Sequence, residues 1–232
     1  MSFLAEARVL ARMVGGMPRR ADHAAALSGF YAAQAPHYDQ SREKLLQGRS
    51  ELFEALDLQA GETLVELGAG TGYNLTHLGP MLARLESATL VDLCLPLLAE
   101  ARRRWAATAN VNIVEADACT WQPSAPVDAV CFSYSLSMIP DWPQAIANAL
   151  AMLRPGGRLG VADFSLAPEQ SALSRRFWQS WFAHDGVRLN PEHPRTLAAA
   201  CRDHRLDWSR TRLPWLGGLA VPRYLFVGVK NA

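Results

Sequence analysis

The feature that most constrains this chain is a glycine turn that follows an apolar run. The run Thr-Leu-Val-Glu-Leu occupies residues 63–67, and Gly68, Gly70 and Gly72 follow it at alternate positions. Apolar side chains then recur at helical spacing, at Leu75, Leu78, Met81, Leu82 and Leu85. A doubly wound α/β sheet opens a nucleotide site with this order of strand, glycine turn and helix. We therefore predict an α/β fold with a ligand site at these glycines.

The spacing of the glycines narrows the choice of ligand. A dinucleotide site has the pattern G-x-G-x-x-G, and Tyr73 stands where that pattern requires its third glycine. Glu66 lies two residues before the first glycine, where its carboxylate would repel a pyrophosphate and attract a ligand that carries an amino group. These two residues exclude a nicotinamide oxidoreductase.

Strands and helices continue to alternate along the chain. Strands are predicted at 88–92, from 111, at 127–134 and at 158–164, and a helix from 141 to 153 ends at an Arg-Pro-Gly-Gly sequence. Helices over 169–183 and about 194–204, and an antiparallel pair of strands near 206–213 and 222–229, follow. The pattern predicts a doubly wound, mostly parallel seven-stranded sheet with an antiparallel last strand. We expect one domain over 1–232, with a helical lid (1–58), a cofactor-binding core (59–165) and substrate-side helices and closing strands (166–232).

The residues before the first strand are helical in pattern. Tyr31 and Tyr38 would share one helical face if the helix continued through Pro36. Such an aromatic stripe fits either a packed core or a lid over a ligand. Ser41 is predicted to cap a further helix that ends near Asp57.

Two acids follow predicted strands on the ligand side of the sheet. Asp92 ends the second strand about twenty residues beyond the glycines, where doubly wound folds place an acceptor for ribose hydroxyls. A helix-capping role for Asp92 before Pro96 is compatible with that function. Asp117 follows the third strand.

The composition is that of an ordinary globular protein. Of 232 residues, half are hydrophobic and 19% are charged, and the net charge of +1 gives no indication of a nucleic-acid partner. The four cysteines are scattered without a C-x-x-C pair, so we expect no metal site and a reducing, cytoplasmic location.

The glycine motif resembles motif I of the class I S-adenosylmethionine-dependent methyltransferases, and the Leu-Arg-Pro-Gly-Gly sequence at 153–157 is a further mark of that group. The resemblance implies S-adenosylmethionine as cofactor, with S-adenosylhomocysteine as its product. It also implies that Asp117 and Ala118 lie at the adenine and that a Tyr-Asp pair closes over the cofactor. The implied cofactor contacts are Tyr38, Glu66, Gly68, Gly70, Gly72, Asn74, Asp92, Leu93, Asp117, Ala118, Ser133 and Tyr134.

Segments outside the generic motifs resemble the methyltransferases of betaine lipid synthesis. They lie at 30–39, 45–49, 133–140, 177–187 and 222–228, and Ser-Tyr-Ser-Leu-Ser-Met-Ile-Pro at 133–140 is the most specific of them. This resemblance implies that the enzyme adds three methyl groups to the amine of diacylglyceryl homoserine. The family often carries a fused domain that transfers the aminocarboxypropyl group. We expect a separate protein to supply the lipid precursor here, because the chain is too short for both activities.

Methyl transfer is an in-line displacement, so the main task of the protein is to align donor and acceptor. The amine must lose a proton before it attacks, and aromatic faces can stabilise the cationic nitrogen. The candidate catalytic residues are Tyr31, Tyr134 and His184, and the candidate substrate contacts are Trp178, Trp181, Asp185, Arg223 and Tyr224. The two tryptophans fit a core stripe equally well, and His184 and Asp185 also fit an ordinary turn. Arg42 and Arg49 are interpreted as solvated helix charges.

A lipid acceptor implies peripheral attachment to the inner face of a membrane. An amphipathic helix over 2–17 and the apolar loop at 213–219 are the candidate contacts, although both also fit packing on the domain or on another subunit. Two other functions remain open. One is methylation of a soluble amine, a quinone ring or a small carboxylate, and the other is a non-catalytic, cofactor-binding partner subunit.

Overall fold

A seven-stranded sheet organises the part of the chain that the computed structural model describes, residues 22–213 and 218–231. Its strands are β1 (Thr63–Leu67), β2 (Ser87–Asp92), β3 (Val111–Glu115), β4 (Val127–Ser133), β5 (Leu153–Phe164), β6 (Cys201–Leu213) and β7 (Leu219–Lys230). Their order across the sheet is β3-β2-β1-β4-β5-β7-β6. β7 pairs in antiparallel fashion with both β5 and β6, whereas the other four pairs are parallel, which confirms the predicted mostly parallel sheet with an antiparallel last strand.

Helices cover both faces of the sheet. They are α1 (His23–Tyr31), α2 (Tyr38–Arg42), α3 (Arg49–Leu56), α4 (Leu95–Trp105), α5 (Trp142–Met152), α6 (Ala172–His184) and α7 (Glu192–Ala200), with 3-10 segments at Ala35–His37, Tyr73–Arg84 and Leu136–Met138. Within the described ranges, no helix is long and apolar enough to cross a bilayer. The predicted helix over 2–17 lies outside these ranges, as do residues 214–217 of the predicted apolar loop.

Successive residues of β1 pack into two different cores. Leu64 joins the core that contains Leu52 of α3 and Ala101 of α4, whereas Val65 joins the core that contains Ile146 of α5 and Leu197 of α7. Strands that are buried on both faces have nearly continuous apolar sequences, as β1 has. The alternation of side chains along the strand therefore gives the sheet its two layers of helices.

The site follows from the position of β1 between β2 and β4. Leu67 at the end of β1 is in register with Val91 of β2 and with Phe132 of β4. The chain winds outwards from β1 in both directions, so the loops after these three strands diverge from a shared edge and leave a crevice.

The segment behind the glycines is not the regular helix that the spacing predicts. It is a 3-10 segment, broken at Gly79, whose φ and ψ are 51° and −129°. Pro80 explains the break, because proline disfavours helical conformation in the residue before it. Leu75, Leu78 and Leu82 are nevertheless buried.

The lid also differs from the expected continuous helix. The chain leaves α1 after Tyr31 and re-enters a helix at Tyr38 by way of the 3-10 turn at Pro36, yet the two tyrosine rings meet edge to face with centroids 5.5 Å apart. Ser41 lies inside α2 and donates to the carbonyl of Tyr38, so it is not a cap. The next helix begins after Gly48, whose φ of 86° a glycine adopts without strain.

Three boundaries after residue 150 were also predicted incorrectly. β5 begins at Leu153 rather than 158, and α7 ends at Ala200, after which β6 starts at Cys201 rather than 206. Pairing explains the longer β6, because Cys201 already lies opposite Lys230 of β7 before the register shifts between Arg202 and Arg205. Tertiary pairing of this kind overrides local helical pattern.

Candidate active site

A cavity of about 370 Å³ opens at the carboxyl ends of β1, β2 and β4, beneath α1 and α2. Of the predicted cofactor contacts, its wall contains Tyr38, Gly68, Gly70, Asn74, Asp92, Leu93, Asp117, Ala118, Ser133 and Tyr134. Glu66 and Gly72 lie behind that wall. The volume suits one small organic molecule.

The glycine loop brings its backbone close to the ends of the neighbouring strands. Gly68 has a φ of 71°, and a Cβ added there would lie 2.3 Å from Cβ of Ser135. The Ser135 hydroxyl in turn donates to the carbonyl of Leu67 at 2.7 Å. A side chain at Gly68 would therefore be both strained and in collision with the cavity wall.

Asp92 ties this loop to the end of β2. Its Oδ2 accepts from the backbone N–H of Gly70 at 2.7 Å, and its Oδ1 accepts from that of Cys94 at 2.7 Å. Burial raises the pKa of Asp92, and these backbone donors oppose the increase. A carboxylate has about four acceptor sites, so Asp92 can hold the loop and still accept from a ligand hydroxyl.

A buried polar chain lies on the other side of the loop. Glu66 is fully buried and accepts a hydrogen bond from the Asn74 side-chain amide, while its Oε2 has no partner among the described residues. Burial raises the pKa of Glu66 to about 8, and the Asn74 hydrogen bond and the Arg49 charge oppose the increase. Arg49 Nη1 lies 3.5 Å from Oδ1 of Asn74, and its guanidinium stacks 4.9 Å from the centre of the Tyr73 ring.

The interpretation of Arg42 and Arg49 as solvated charges was wrong. Both are buried, at 7% and 6% exposure, and Arg49 lines the cavity. Arg42 lies 5.9 Å from the centre of the Tyr38 ring. The short lid helices fold over the cavity and bury both side chains, which the helical pattern of the sequence could not reveal.

Asp39 fastens the lid to the glycine loop. Its Oδ1 accepts from the hydroxyl of Thr71 at 2.6 Å, and its Oδ2 pairs with Arg104 of α4. Arg104 also donates to the carbonyl of Thr71 at 2.5 Å. The Tyr-Asp pair at 38–39 pointed to Asp39, whereas nothing in the sequence pointed to Thr71 or Arg104.

Three tyrosines form an aromatic part of the wall. The Tyr31 hydroxyl lies 3.4 Å from the sulfur of Met138, and the Tyr134 hydroxyl donates to the carbonyl of Gln47. Burial raises the pKa of Tyr31, Tyr38 and Tyr134. They are therefore neutral phenols at physiological pH and do not serve as bases there.

Hydrogen bonds to Asp163 hold the segment 133–140 in the cavity wall. Asp163, fully buried in β5, accepts from the backbone N–H and from the hydroxyl of Ser137, both at 2.8 Å. Burial raises the pKa of Asp163 to about 6, and these donors oppose the increase. Asp163 was missed because a lone acid in a strand gives no sign of its partner.

His23 is a further residue of the cavity that the sequence did not single out. It opens α1 and lies in the wall together with Asp117 and Cys119. Burial lowers the pKa of His23, and the charge of Asp117 opposes that decrease. Asp117 Oδ1 accepts from the backbone N–H of Cys119 at 2.8 Å, which fixes the carboxylate in its loop.

The other predicted catalytic and substrate residues do not line this cavity. They are Trp178, Trp181, His184, Asp185, Arg223 and Tyr224. Trp178 is buried, and its ring connects to the wall through the rings of Phe182, Phe164 and Tyr134.

His184, Asp185, Arg223 and Tyr224 lie outside the cavity wall. Arg223 packs against Gly48, with Glu51 at 3.9 Å, and Tyr224 is fully buried against Trp208. His184 is exposed at the end of α6, and burial raises the pKa of Asp185 beside it. None of the four belongs to the cavity wall, although the charge of Arg223 acts on Tyr134 and that of Asp185 acts on Tyr31.

Comparison with known proteins agrees with this geometry. A family described as "Methyltransferase domain" matches residues 37–207. A 2-phytyl-1,4-naphtoquinone methyltransferase of Thermosynechococcus vestitus is 30% identical over 166 residues, covering 68% of this chain and 72% of the relative.

Solved structures share the fold. Phosphoethanolamine N-methyltransferase 2 of Haemonchus contortus, with phosphomonomethylethanolamine and S-adenosylhomocysteine, has a TM-score of 0.72 at 13% identity, covering 93% of this chain and 61% of that one. The N-methyltransferase NodS of Bradyrhizobium japonicum, with S-adenosylhomocysteine, has a TM-score of 0.67 at 17% identity, covering 90% and 99%.

Proposed function

Because the chain belongs to the methyltransferase domain family and uses S-adenosylmethionine, we propose that its acceptor is the amine of diacylglyceryl homoserine. Three successive transfers would give the trimethylated betaine lipid. On this proposal the acceptor is presented at a membrane surface, and a separate aminocarboxypropyl transferase supplies it.

The residues of the cavity fit the cofactor. S-adenosylmethionine supplies an electrophilic methyl group on a sulfonium, together with an ammonium, a carboxylate, a ribose and an adenine. Arg49 offers a buried cation for a carboxylate, and Asn74, oriented by Glu66, offers amide atoms beside it. Asp92 has acceptor capacity for ribose hydroxyls, and Asp117 has it for an amino group.

Support for a lipid amine comes mainly from segment 133–140. This stretch most specifically resembles the betaine lipid methyltransferases, and Ser133, Tyr134, Ser135, Met138, Ile139 and Pro140 all belong to the cavity wall. Asp163 fixes the segment through Ser137, so its side chains have a defined place in the wall. The loop after β4 borders the crevice of any doubly wound sheet, so the support for this acceptor lies in the sequence of the segment.

The chemistry of the tyrosines is consistent with an amine acceptor. Each nitrogen attack requires that the acceptor has first released a proton, and the methylated product regains a positive charge. The neutral rings of Tyr31, Tyr38 and Tyr134 can stabilise that charge through their faces by about 0.5–2 kcal/mol each. Because these phenols stay protonated, the proton passes to water or to another group.

Methylation of a quinone ring is the second candidate function. It is favoured by the 30% identity to a naphthoquinone methyltransferase, which covers 72% of that relative. Both acceptors carry long apolar chains, so the head group and its reacting atom, an amine nitrogen or a ring carbon, distinguish them.

Purified protein with S-adenosylmethionine and diacylglyceryl homoserine in detergent micelles tests the proposal directly. We expect mass spectrometry to show one, two and then three added methyl groups, and no methylation of a reduced naphthoquinone under the same conditions. Methylation of the quinone alone would replace the proposal by the second candidate. The Gly70→Val variant, which places a branched side chain at a φ of 56°, serves as the inactive control.

A further inference from the structure

An exposed apolar line runs along α6, a 13-residue helix on the far side of the tyrosine wall. Leu173, Phe177 and Trp181 are 81%, 41% and 44% exposed. They are four residues apart, so they share one face of the helix. The rings of Phe177 and Trp181 stack with centroids 6.1 Å apart.

This exposure is concentrated on one helix. Of the large hydrophobic side chains that are exposed within the described ranges, the only others are Leu95 and Leu219. The opposite face of α6 is well packed, since Trp178 and Phe182 are 3% and 5% exposed. An ordinary core helix would bury its aromatic residues on one side, whereas α6 displays a second, outward apolar face.

The charged residues of α6 indicate what kind of surface covers its exposed apolar face. Residues 172–184 contain Arg175, Arg176 and His184 but no Asp or Glu, although Glu169 and Asp185 flank the helix. Arg175 is occupied by the carbonyls of Ala167, Pro168 and Gln170, while Arg176 is exposed. Aromatic and leucine side chains beside basic ones are typical of helices that lie in the headgroup region of an anionic bilayer.

A second copy of the chain fits this face less well. A 13-residue helix is about 20 Å long, and a line of three large side chains falls well short of the 20–30 residues that each partner contributes to a stable interface. A bilayer needs no such area, because each apolar group enters it independently.

We propose that this face of α6 docks on a membrane surface that contains anionic lipid. The inference builds on the proposed lipid acceptor and extends it. The inner face of α6 reaches Tyr134 of the cavity wall through Phe182 and Phe164, with ring centroids 4.8 Å and 4.6 Å apart along that path. Docking through the outer face would leave α6 and the rings of Phe182 and Phe164 between the lipid headgroups and Tyr134.

Co-sedimentation of the full chain with vesicles tests this surface. We expect binding to phosphatidylcholine vesicles with about a third phosphatidylglycerol, and weaker binding to phosphatidylcholine alone. The triple variant Leu173→Ser/Phe177→Ser/Trp181→Ser should bind about tenfold less tightly or worse. Leu95→Ser, which removes a leucine of 46% exposure from α4, should bind like the wild type.

A single variant separates lost binding from lost folding. Leu173 is 81% exposed, so Leu173→Ser should keep its melting temperature and its affinity for S-adenosylmethionine while losing part of its vesicle binding. Unchanged vesicle binding in the triple variant would overturn the inference, as would a wild type that binds no vesicles. A wild-type dimer, seen by light scattering, that becomes monomeric in the triple variant would assign the face to a second copy instead.

Failure of this surface and failure of the proposed acceptor have different signatures. Methylation of diacylglyceryl homoserine in micelles without vesicle binding would leave the function and overturn the surface. Vesicle binding that depends on α6, without methylation of that lipid, would leave the surface and overturn the acceptor.

Discussion

Oδ2 of Asp92 lies 2.7 Å from the backbone nitrogen of Gly70, so one carboxylate joins the end of the second strand to the loop after the first. The same side chain accepts from the N–H of Cys94 at 2.7 Å and lines the cavity. The helix after β2 has Cys94 at its N-cap and no side-chain cap, so Asp92 braces the turn before the helix and does not cap it. Its contact with ribose hydroxyls stays a prediction.

Asp92→Asn should weaken cofactor binding by about tenfold or more. The amide has one acceptor oxygen where the carboxylate has two, so in the complex either a backbone N–H of the loop or a ribose hydroxyl loses its acceptor, at a cost of about 1–3 kcal/mol. Titration calorimetry with S-adenosylmethionine measures the effect. Asp207→Asn is the control, because that carboxylate is half exposed and pairs with the exposed Arg205. Equal affinity in Asp92→Asn and the wild type would contradict the assignment.

Arg49→Gln should also raise the dissociation constant for S-adenosylmethionine by about tenfold, because it removes a buried cation next to Asn74. Arg49→Lys should recover part of the loss, since it keeps the charge without the planar fork. Arg103→Gln, with a side chain that is 73% exposed, should bind normally. A lysine variant as weak as the glutamine variant would argue against a charge role.

Glu66→Gln should make the ligand-free protein more resistant to heat at alkaline pH. The folded-state pKa of Glu66 is raised by burial to about 8 from 4.5, so its proton stabilises the fold fully below about pH 4.5 and is lost as the pH rises through about 8. Glutamine keeps the acceptor for Asn74 and cannot ionise.

Melting curves of both proteins between about pH 5 and pH 9 check this sign. The difference in melting temperature should grow in favour of the variant as the pH rises. A difference in melting temperature that does not grow between about pH 5 and pH 9 would show that the pKa of Glu66 is not raised in the ligand-free fold.

Gly68→Ala should be far more damaging than Gly61→Ala. Both glycines have positive φ, at 71° and 81°, but an added Cβ meets Ser135 at 2.3 Å in the first case and nothing within 4 Å in the second. Gly61→Ala should therefore cost only the conformational strain of about 1–2 kcal/mol. Ser135→Gly in the Gly68→Ala background should recover part of the lost stability, as measured by urea unfolding. No recovery would mean that steric collision is not the cause.

Much of the fold follows from local pattern. Apolar runs gave the strands, and the glycines after Leu67 marked the ligand edge of the sheet, because those signals depend on residues that are adjacent in sequence. Gly79-Pro80 shows the limit, since five well-spaced apolar residues predicted a regular helix that the proline interrupts.

The site was harder to predict because it depends on where each side chain points and on whether it is buried. Trp178 and Trp181 are three residues apart on one helix, yet one is buried and the other exposed. Arg49 has the local sequence of a solvated charge and is buried only because the lid folds over the cavity. The hydrogen bonds of Asp163 to Ser137 join residues that lie 26 positions apart.

The most direct test of the account is mass spectrometry of lipids from a host that makes diacylglyceryl homoserine, with and without this protein. We predict a head group that gains three methyl groups when the wild type is present and none with Asp92→Ala or Gly70→Val. If the head group stayed unmethylated while the purified protein still bound S-adenosylmethionine, the result would contradict the assigned acceptor.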